Sequence, residues 1–201
     1  MKKVIITAFF AFMALTSWAQ QDPNSISVTG VHHYEVKPEY TAKMIVSLQN
    51  IYYDYQPSTM PEIKNTYLDK IKATGISSSK ISENTLAYAL IGYEKAGTVI
   101  EFKTTSLTEI EKFLNIKSPG VSKSDANIII ELSDEQIADY AKKAYDDAKK
   151  KAELIASKIG RKVGKVLSIN DNNYRKTTES LYYSNRLTNK EYFISVSFEL
   201  E

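Results

Sequence analysis

The chain of 201 residues carries 26 Lys and Arg against 24 Asp and Glu, contains 43% hydrophobic residues and has no cysteine. This composition is typical of a folded globular protein and excludes a disordered tail, a collagen-like repeat and a disulfide-stapled small domain. The absence of cysteine from the sequence also excludes thiolate catalysis and thiol redox chemistry.

The first 19 residues have the pattern of a secretory signal peptide. Lysines at positions 2 and 3 precede an apolar run over residues 4–15, which a single threonine interrupts. A membrane-spanning helix needs about 20 apolar residues, so this run is too short to anchor the protein. Small residues at positions 17 and 19 fit a signal peptidase site. The sequence predicts cleavage after Ala19 and a periplasmic protein, with secretion as the alternative.

Removal of this leader leaves a formally neutral protein. The leader holds two of the 26 basic residues, so 24 basic side chains remain against 24 acidic ones. Nucleic-acid binding needs a clustered basic excess, which the mature chain lacks. We therefore predict no nucleic-acid partner. The mature chain is predicted to form one domain over residues 20–201, with no transmembrane span after cleavage.

Alternation of apolar and polar residues predicts two strands at the start of the mature chain. Residues 25–36 alternate from Ile26 onwards, and residues 40–49 alternate from Tyr40 onwards. The connection between them, residues 37–39, is short and contains a proline. Short connections join antiparallel neighbours, so these two strands are predicted to pair with each other.

Two helices are predicted from capping boxes, in which Ser or Thr is followed three residues later by Glu. Thr59 with Glu62 predicts the start of the first helix, and Gly75 predicts its end in a left-handed cap. Ser106 with Glu109 predicts the start of the second helix.

Five further segments are predicted to be strands because they are rich in β-branched and aromatic residues. They cover residues 81–90, 93–105, 127–132, 163–169 and 192–200. Residues 127–132 are the most continuous β-branched run, which predicts a central strand buried on both faces. The polar stretch from about 170 to 189 predicts a long loop of the kind that is usually mobile or functional.

The clearest element is an alanine-rich helix predicted over about residues 133–160. Ser133 with Gln136 forms its N-terminal capping box, and Gly160 closes its far end. Alanines and isoleucines at helical spacing predict one apolar stripe: Ile137, Ala141, Ala144, Ala148, Ala152, Ile155 and Ile159. Acids precede lysines by four positions on other faces: Asp139/Lys143, Asp146/Lys150 and Asp147/Lys151. The small alanine side chains favour a close approach to the partner sheet.

The predicted order of strands and helices is ββαββαβαββ. Strands and helices do not alternate strictly in this order, which favours an α+β fold. We expect a mostly antiparallel sheet with the helices packed on one face.

Several short motifs occur in the order and spacing of a known protein family. They are Ile26-Ser27-Val28-Thr29-Gly30, Val36-Lys37-Pro38-Glu39, Gly75-Ile76, Leu132-Ser133-Asp134, the alanine-rich helix from Ala141 to Gly160, and the run from Val163 to Ile169. Through these features, nearly the whole mature chain resembles the SIMPL domain family of mostly bacterial exported proteins. The resemblance implies a periplasmic α+β protein linked to envelope integrity, stress tolerance and self-assembly. It supplies no catalytic motif.

The sequence contains no established catalytic or cofactor-binding motif. His32 and His33 are the only histidines, and adjacent strand residues point to opposite faces, so the two do not converge on one metal. The motifs G-x-S-x-G, G-x-G-x-x-G and G-x-x-x-x-G-K-[ST] do not occur. We predict no enzymatic activity, no cofactor and no metal site, and we rank a histidine-dependent hydrolase last.

Tyrosine is the main compositional excess, with 14 in the chain. Five that lie in or beside predicted loops are candidate interaction residues: Tyr52, Tyr53, Tyr55, Tyr182 and Tyr183. A tyrosine ring buries apolar area while its hydroxyl keeps a hydrogen bond, which suits recognition. The alternative is that these rings pack beneath their own loops.

These observations support two hypotheses of different classes. The first is a non-enzymatic, self-associating periplasmic protein of envelope maintenance or stress tolerance, whose partner is a second copy of itself. The second is a periplasmic ligand- or peptide-binding module that uses the tyrosine-bearing loops, with envelope proteins or peptides as its partners. The second hypothesis predicts a monomer with a concave aromatic site.

Overall fold

The computed structural model describes residues 24–51, 59–184 and 188–201. These residues fall into two compact units. The terminal unit comprises residues 24–32, 141–172 and 193–201, and the central unit comprises the described residues of 33–140 and 173–192. The predicted leader and its cleavage site lie outside the described residues.

The described chain contains eight strands and four α-helices. The strands are β1 (Ser25–Glu35), β2 (Glu39–Ser47), β3 (Ile81–Asn84), β4 (Gly97–Thr104), β5 (Val121–Glu131), β6 (Val163–Asn170), β7 (Lys176–Ser180) and β8 (Asn189–Leu200). The helices are α1 (Met60–Ala73), α2 (Thr85–Ile91), α3 (Leu107–Leu114) and α4 (Asp134–Lys158). β1, α4 and β8 each contribute residues to both units. The predicted α+β class and the antiparallel character of the sheets are confirmed.

The terminal unit combines a three-stranded sheet, in the order β1-β8-β6, with most of α4. A hydrogen bond of 2.7 Å joins the side-chain hydroxyls of Ser27 in β1 and Ser197 in β8. Every second residue of β8 is buried, and Tyr145 of α4 packs on one of them, Phe198, with ring centroids 6.1 Å apart. This alternation places one face of β8 against the helix.

Gly30 of β1 is a point of very close approach between α4 and the sheet. A Cβ atom added at Gly30 would overlap the carbonyl oxygen of Ala144 and lie 2.8 Å from the Cβ of Ala148. Four alanines of α4 are buried: Ala144, Ala148, Ala152 and Ala156. Glycine opposite alanine lets the two backbones approach more closely than larger side chains would allow.

The structure confirms the long helix but corrects its apolar stripe. The Ser133 N–H donates to Oε1 of Gln136 at 2.9 Å, and the Ser133 hydroxyl accepts from the Gln136 N–H at 3.2 Å, as the capping box predicts. Ile155 and Ile159, however, are 47% and 59% exposed. The buried residues of α4 recur every four positions from Ala144 to Ala156. Residues four apart lie on the same face of a helix, so Ala156 faces the sheet and Ile155 and Ile159 do not.

The surface ion pairs of α4 follow the prediction only in part. Asp147 and Lys151 form the predicted pair at 2.6 Å. Asp146 pairs with Lys142, one turn before it, and not with Lys150. Sequence spacing permits either partner for Asp146, and side-chain geometry selects the preceding one.

The central unit is built on a five-stranded antiparallel sheet in the order β3-β4-β2-β5-β7. Its middle strand, β2, has Tyr40 opposite Thr104 of β4 and Ile128 of β5. Ala42, Met44 and Val46 point to the same face of β2 as Tyr40 and are buried with it.

Helices cover both faces of this sheet. On one face, Phe113 of α3 stacks on Phe102 of β4 with ring centroids 4.7 Å apart. On the opposite face, Tyr88 of α2 packs in a buried cluster with Ile45 of β2 and Val99 of β4. α2 is therefore an exception to the expected one-sided arrangement of helices.

The predicted pairing of the first two strands is wrong. β1 pairs with β8, whereas β2 pairs with β4 and β5 in the other sheet. A short connection between two strands permits a hairpin but does not require one. Here pairings with distant strands determine the partners of both.

The predicted strand over residues 81–90 divides into β3 and α2. The side-chain oxygen of Asn84 accepts a hydrogen bond from the Ala87 N–H at 2.8 Å and caps the new helix. Gly92, with φ of 79°, ends the helix in the left-handed conformation. Local capping therefore overrides the β-like composition of the second half of this segment.

Two further strand predictions are corrected. The predicted strand 127–132 is part of the longer β5, in which Ala126, Ile128 and Ile130 are buried and the residues between them are only half-buried. β5 is an interior strand, as predicted, and pairs with β2 on one side and β7 on the other, although the middle position of the sheet belongs to β2. The predicted loop from about 170 to 189 contains β7, which pairs with β5.

A small substitution tests the close approach of α4 to β1. Gly30→Ala should lower the free energy of unfolding by about 1–3 kcal/mol, because the new methyl group collides with the backbone of α4. Gly164→Ala is the matched control, because its methyl group would meet the movable Glu201 side chain. Urea denaturation measures both variants, and an equal cost would contradict the close approach.

A charge placed on α4 tests its orientation. Ala148→Asp puts a carboxylate at a fully buried position and should cost about 3 kcal/mol or more, enough to unfold a marginal protein. Lys149→Asp changes an exposed neighbour whose ion pair with Glu153 is 4.0 Å long, and should cost less than about 1 kcal/mol. Thermal denaturation distinguishes the two, and a larger loss for Lys149→Asp would show that the helix faces the other way.

Candidate functional site

A cleft of about 700 Å³ opens in the central unit between α1 and β3. Its apolar lining comes from α1, the turn that follows it, and strands β3 and β4: Leu68, Ile71, Ile76, Ile81 and Ile100. Ile71, Ile76 and Ile100 are buried, whereas Leu68 and Ile81 are half-buried. The cleft therefore has an aliphatic floor and accessible aliphatic walls.

The local sequence explains how the cleft forms. Gly75, with φ of 84°, ends α1 in the left-handed conformation and turns the chain towards β3. Ser77 then accepts a hydrogen bond from the Ser79 N–H in the short turn before Ile81. Helix and strand are joined by this turn, and both contribute to the cleft lining.

One side of the cleft is β3, an edge strand of the central sheet. β3 pairs only with β4 among the described strands. In an antiparallel pair, backbone N–H and C=O groups of alternate residues point away from the partner, so the outer edge of β3 presents unpaired groups. The cleft thus combines apolar side chains with backbone hydrogen-bonding groups.

The rim of the cleft carries charges of both signs. Glu83 is held by Lys64 of α1 at 3.1 Å. Asp69 and Lys72 are exposed at the rim, and neither has an ion pair or side-chain hydrogen bond within residues 24–51, 59–184 and 188–201. These two charges are available to a ligand.

A partly buried ion pair supports the turn beside the cleft. The Lys80 ammonium lies 2.6 Å from Oε2 of Glu109, the third residue of α3. The Thr104 hydroxyl also donates to this carboxylate. The hydrogen bonds from Lys80 and then from Thr104 hold the pKa of Glu109 below its usual range. This pair connects the residue before β3 to the N-terminus of α3.

A second, smaller concavity of about 390 Å³ lies on the face of the central sheet that α2 partly covers. Its charges largely satisfy one another, with Lys103 2.9 Å from Glu39 and Lys43 3.8 Å from Glu101. Asp125 accepts a hydrogen bond from the Asn127 side chain, although its other carboxylate oxygen has no partner among the described residues. We regard this surface as the weaker candidate site.

The predicted interaction tyrosines do not line either concavity. Tyr182 and Tyr183 lie in the turn after β7 and are 50% and 89% exposed, so they do not pack beneath their own loop. Tyr52, Tyr53 and Tyr55 lie outside the described residues. Of the two tyrosine segments, the structure therefore describes only the pair Tyr182 and Tyr183, and it places that pair in an exposed turn.

The two histidines point to different surroundings, as predicted. Nδ1 of His33 lies 3.4 Å from Glu191 on an exposed surface. His32 is half-buried and belongs to the other unit. Within the described residues, no three His, Asp or Glu side chains are grouped as metal ligands.

In the terminal unit, the two edges of the sheet differ. At the β1 edge, Oδ2 of Asp147 accepts from the Val31 N–H at 2.8 Å, and Lys151 donates to the Thr29 carbonyl at 3.1 Å. The hydrogen bond from Lys151, assisted by that from the Val31 N–H, lowers the pKa of Asp147. Two side chains of α4 therefore hydrogen-bond to backbone groups of β1 that a neighbouring strand could otherwise bind.

The β6 edge has no such cover within the described residues. Bulges interrupt its pairing with β8 between Val163 and Ser168. Val166, Leu167 and Ile169 are 37%, 40% and 56% exposed. An unpaired strand edge and exposed aliphatic side chains thus coincide.

The model of one protein family matches residues 26–191 of the chain. That family is SIMPL, described as a protein of unknown function, DUF541. The chain belongs to the SIMPL family. The match covers most of both units and confirms the resemblance seen in the sequence. No match was found among curated proteins.

No helix in the described part of the chain is both long enough and apolar enough to cross a membrane. The long helix α4 has a mixed charged surface, and its buried face consists of alanine.

Sequence reasoning missed the cleft residues Leu68, Ile76 and Ile81. The signal that could have identified them is the Gly75 cap followed by a serine-rich turn, which places a helix and a strand next to each other. The sequence pattern predicts one strand over residues 81–90, and this prediction hides the short length and the free edge of β3.

The Lys80–Glu109 pair predicts a pH-dependent contribution to stability. The folded-state pKa of Glu109 is lowered, so its stabilisation is present above the ordinary Glu pKa and is lost as pH falls through the folded-state pKa. The difference in unfolding free energy between wild type and Glu109→Gln should shrink between about pH 7 and about pH 3.

Urea denaturation across this pH range measures the difference. Glu111→Gln, at an exposed position of the same helix, is the matched control and should show a smaller pH-dependent change. A Glu109→Gln difference that is constant with pH would contradict the assigned role of the charged pair.

Proposed function

We propose that this SIMPL-family protein is a non-enzymatic periplasmic protein that supports envelope maintenance or stress tolerance by self-association. The observation that carries the proposal is the open β6 edge of the terminal unit. The leader pattern at residues 1–19 supports export, and the lack of catalytic motifs in the sequence supports a non-enzymatic role.

Backbone chemistry favours a second copy of the chain at the β6 edge. Unpaired N–H and C=O groups of an edge strand are satisfied when another strand pairs with them. Two identical edges can meet antiparallel about a twofold axis, so each copy supplies the partner that the other needs. The contrast with β1, where Asp147 and Lys151 occupy the Val31 N–H and the Thr29 carbonyl, supports β6 as the pairing edge.

Side chains and net charge support the same association. Val166, Leu167 and Ile169 would lose solvent exposure in a paired edge, which contributes roughly 25 cal/mol for each Å² of apolar area buried. The mature chain has equal numbers of acidic and basic residues, so little net repulsion opposes contact between copies.

Light scattering on the purified mature protein tests this proposal. We expect an oligomer at tens of micromolar, and Leu167→Lys should shift it towards the monomer because it places a charge on the β6 edge. Leu154→Lys is the matched control, since it adds the same charge at an exposed leucine of α4 and should leave the mass unchanged. Changing Tyr182 and Tyr183 to Ala measures the contribution of the exposed turn.

A wild-type monomer at this concentration would contradict self-association. An oligomer that Leu167→Lys leaves intact would exclude the β6 edge. An oligomer that the tyrosine variant leaves intact would exclude only the turn after β7.

A further inference from the structure

We propose that the cleft between α1 and β3 binds an extended peptide segment of another protein, which adds to β3 as a strand. This binding site lies in the central unit and shares no residue with the β6 edge. The proposal therefore does not depend on self-association.

The free edge of β3 selects an extended polypeptide. Its outward N–H and C=O groups recur at the spacing of a strand, and only another extended backbone pairs with several of them in sequence. A helical ligand has its backbone groups bonded internally and would leave the β3 edge unpaired. A small apolar ligand would fill the cleft but would likewise leave these groups without partners.

The cleft next to this edge selects the side chains of the peptide. Ile81 and Glu83 of β3 both line the cleft, so a strand paired with β3 directs every second side chain towards Leu68 and Ile76. These neighbours are aliphatic and suit valine, isoleucine or leucine at the alternate positions of the peptide. The cleft volume of about 700 Å³ lies within the range of sites that enclose a ligand.

The rim selects the charge of the peptide. Asp69 and Lys72 are exposed and without side-chain partners in the described chain, whereas Glu83 is already paired with Lys64. One free acid and one free base suit a peptide that carries one basic and one acidic residue. We expect a low net charge in the bound segment.

The probe is a fluorescein-labelled peptide in which four valines alternate with threonines, with one lysine and one glutamate at its ends. Fluorescence anisotropy with the purified mature protein should show saturable binding. Leu68→Lys should weaken binding about tenfold or more, because it places a charge on the apolar wall of the cleft. Asn65→Lys is the matched control, since it adds the same charge at an exposed position of α1 and should leave binding unchanged.

A second probe tests strand addition on the unaltered protein. The same peptide with all interior amides N-methylated keeps its side chains but loses its backbone donors, so it should not bind. This measurement does not depend on the folding of any variant.

Each contrary result has a distinct meaning. An absence of saturable binding by the valine–threonine peptide, or equal weakening by Leu68→Lys and Asn65→Lys, would overturn the proposed site. Equal binding of the methylated peptide would overturn strand addition. If Leu167→Lys makes the protein monomeric without changing peptide binding, the cleft and the self-association edge are separate, as the proposal requires.

Discussion

The close contact between α4 and Gly30 decides how the terminal unit exposes its sheet. With only hydrogen on Gly30 and methyl groups on Ala144 and Ala148, the helix lies close to β1. At that distance, Asp147 and Lys151 reach the Val31 N–H and the Thr29 carbonyl. These are backbone groups that a neighbouring strand would otherwise use. The same contact that packs the unit thereby occupies two backbone groups in the middle of the β1 edge, whereas no such cover is present at β6 within the described residues.

The central unit has an open edge for a different reason. Asn84 caps α2 and ends β3 after four residues, and Tyr88 anchors α2 to the face of the sheet opposite α3. α1 contributes Leu68 to the cleft, while β3 contributes Ile81. A short strand with one paired side therefore borders an aliphatic cleft. Both candidate interaction surfaces depend on unpaired strand edges, which bind other strands unless something covers them.

Tyrosine content is a poor guide to these surfaces. Four of the tyrosines are buried core residues: Tyr40, Tyr67, Tyr88 and Tyr192. Burial raises the pKa of Tyr67, and its hydroxyl has no hydrogen-bond partner among the described residues. Tyr182 and Tyr183 are exposed, but no tyrosine lines either of the two concavities described in the central unit. The ring provides a large hydrophobic volume for the core as readily as an anchor for an interface.

Local patterns in the sequence determined the α+β class, the alanine-rich helix and its Ser133–Gln136 cap, because periodicity and capping act over a few residues. They also identified the SIMPL family, which the match over residues 26–191 shows. Only the tertiary structure decided that β1 and β2 join different sheets, that Ile155 and Ile159 are exposed, and that β3 and β6 have open edges. Strand partners and burial depend on contacts between residues far apart in the chain, and hydrophobic periodicity in one segment contains no information about which distant segment it meets.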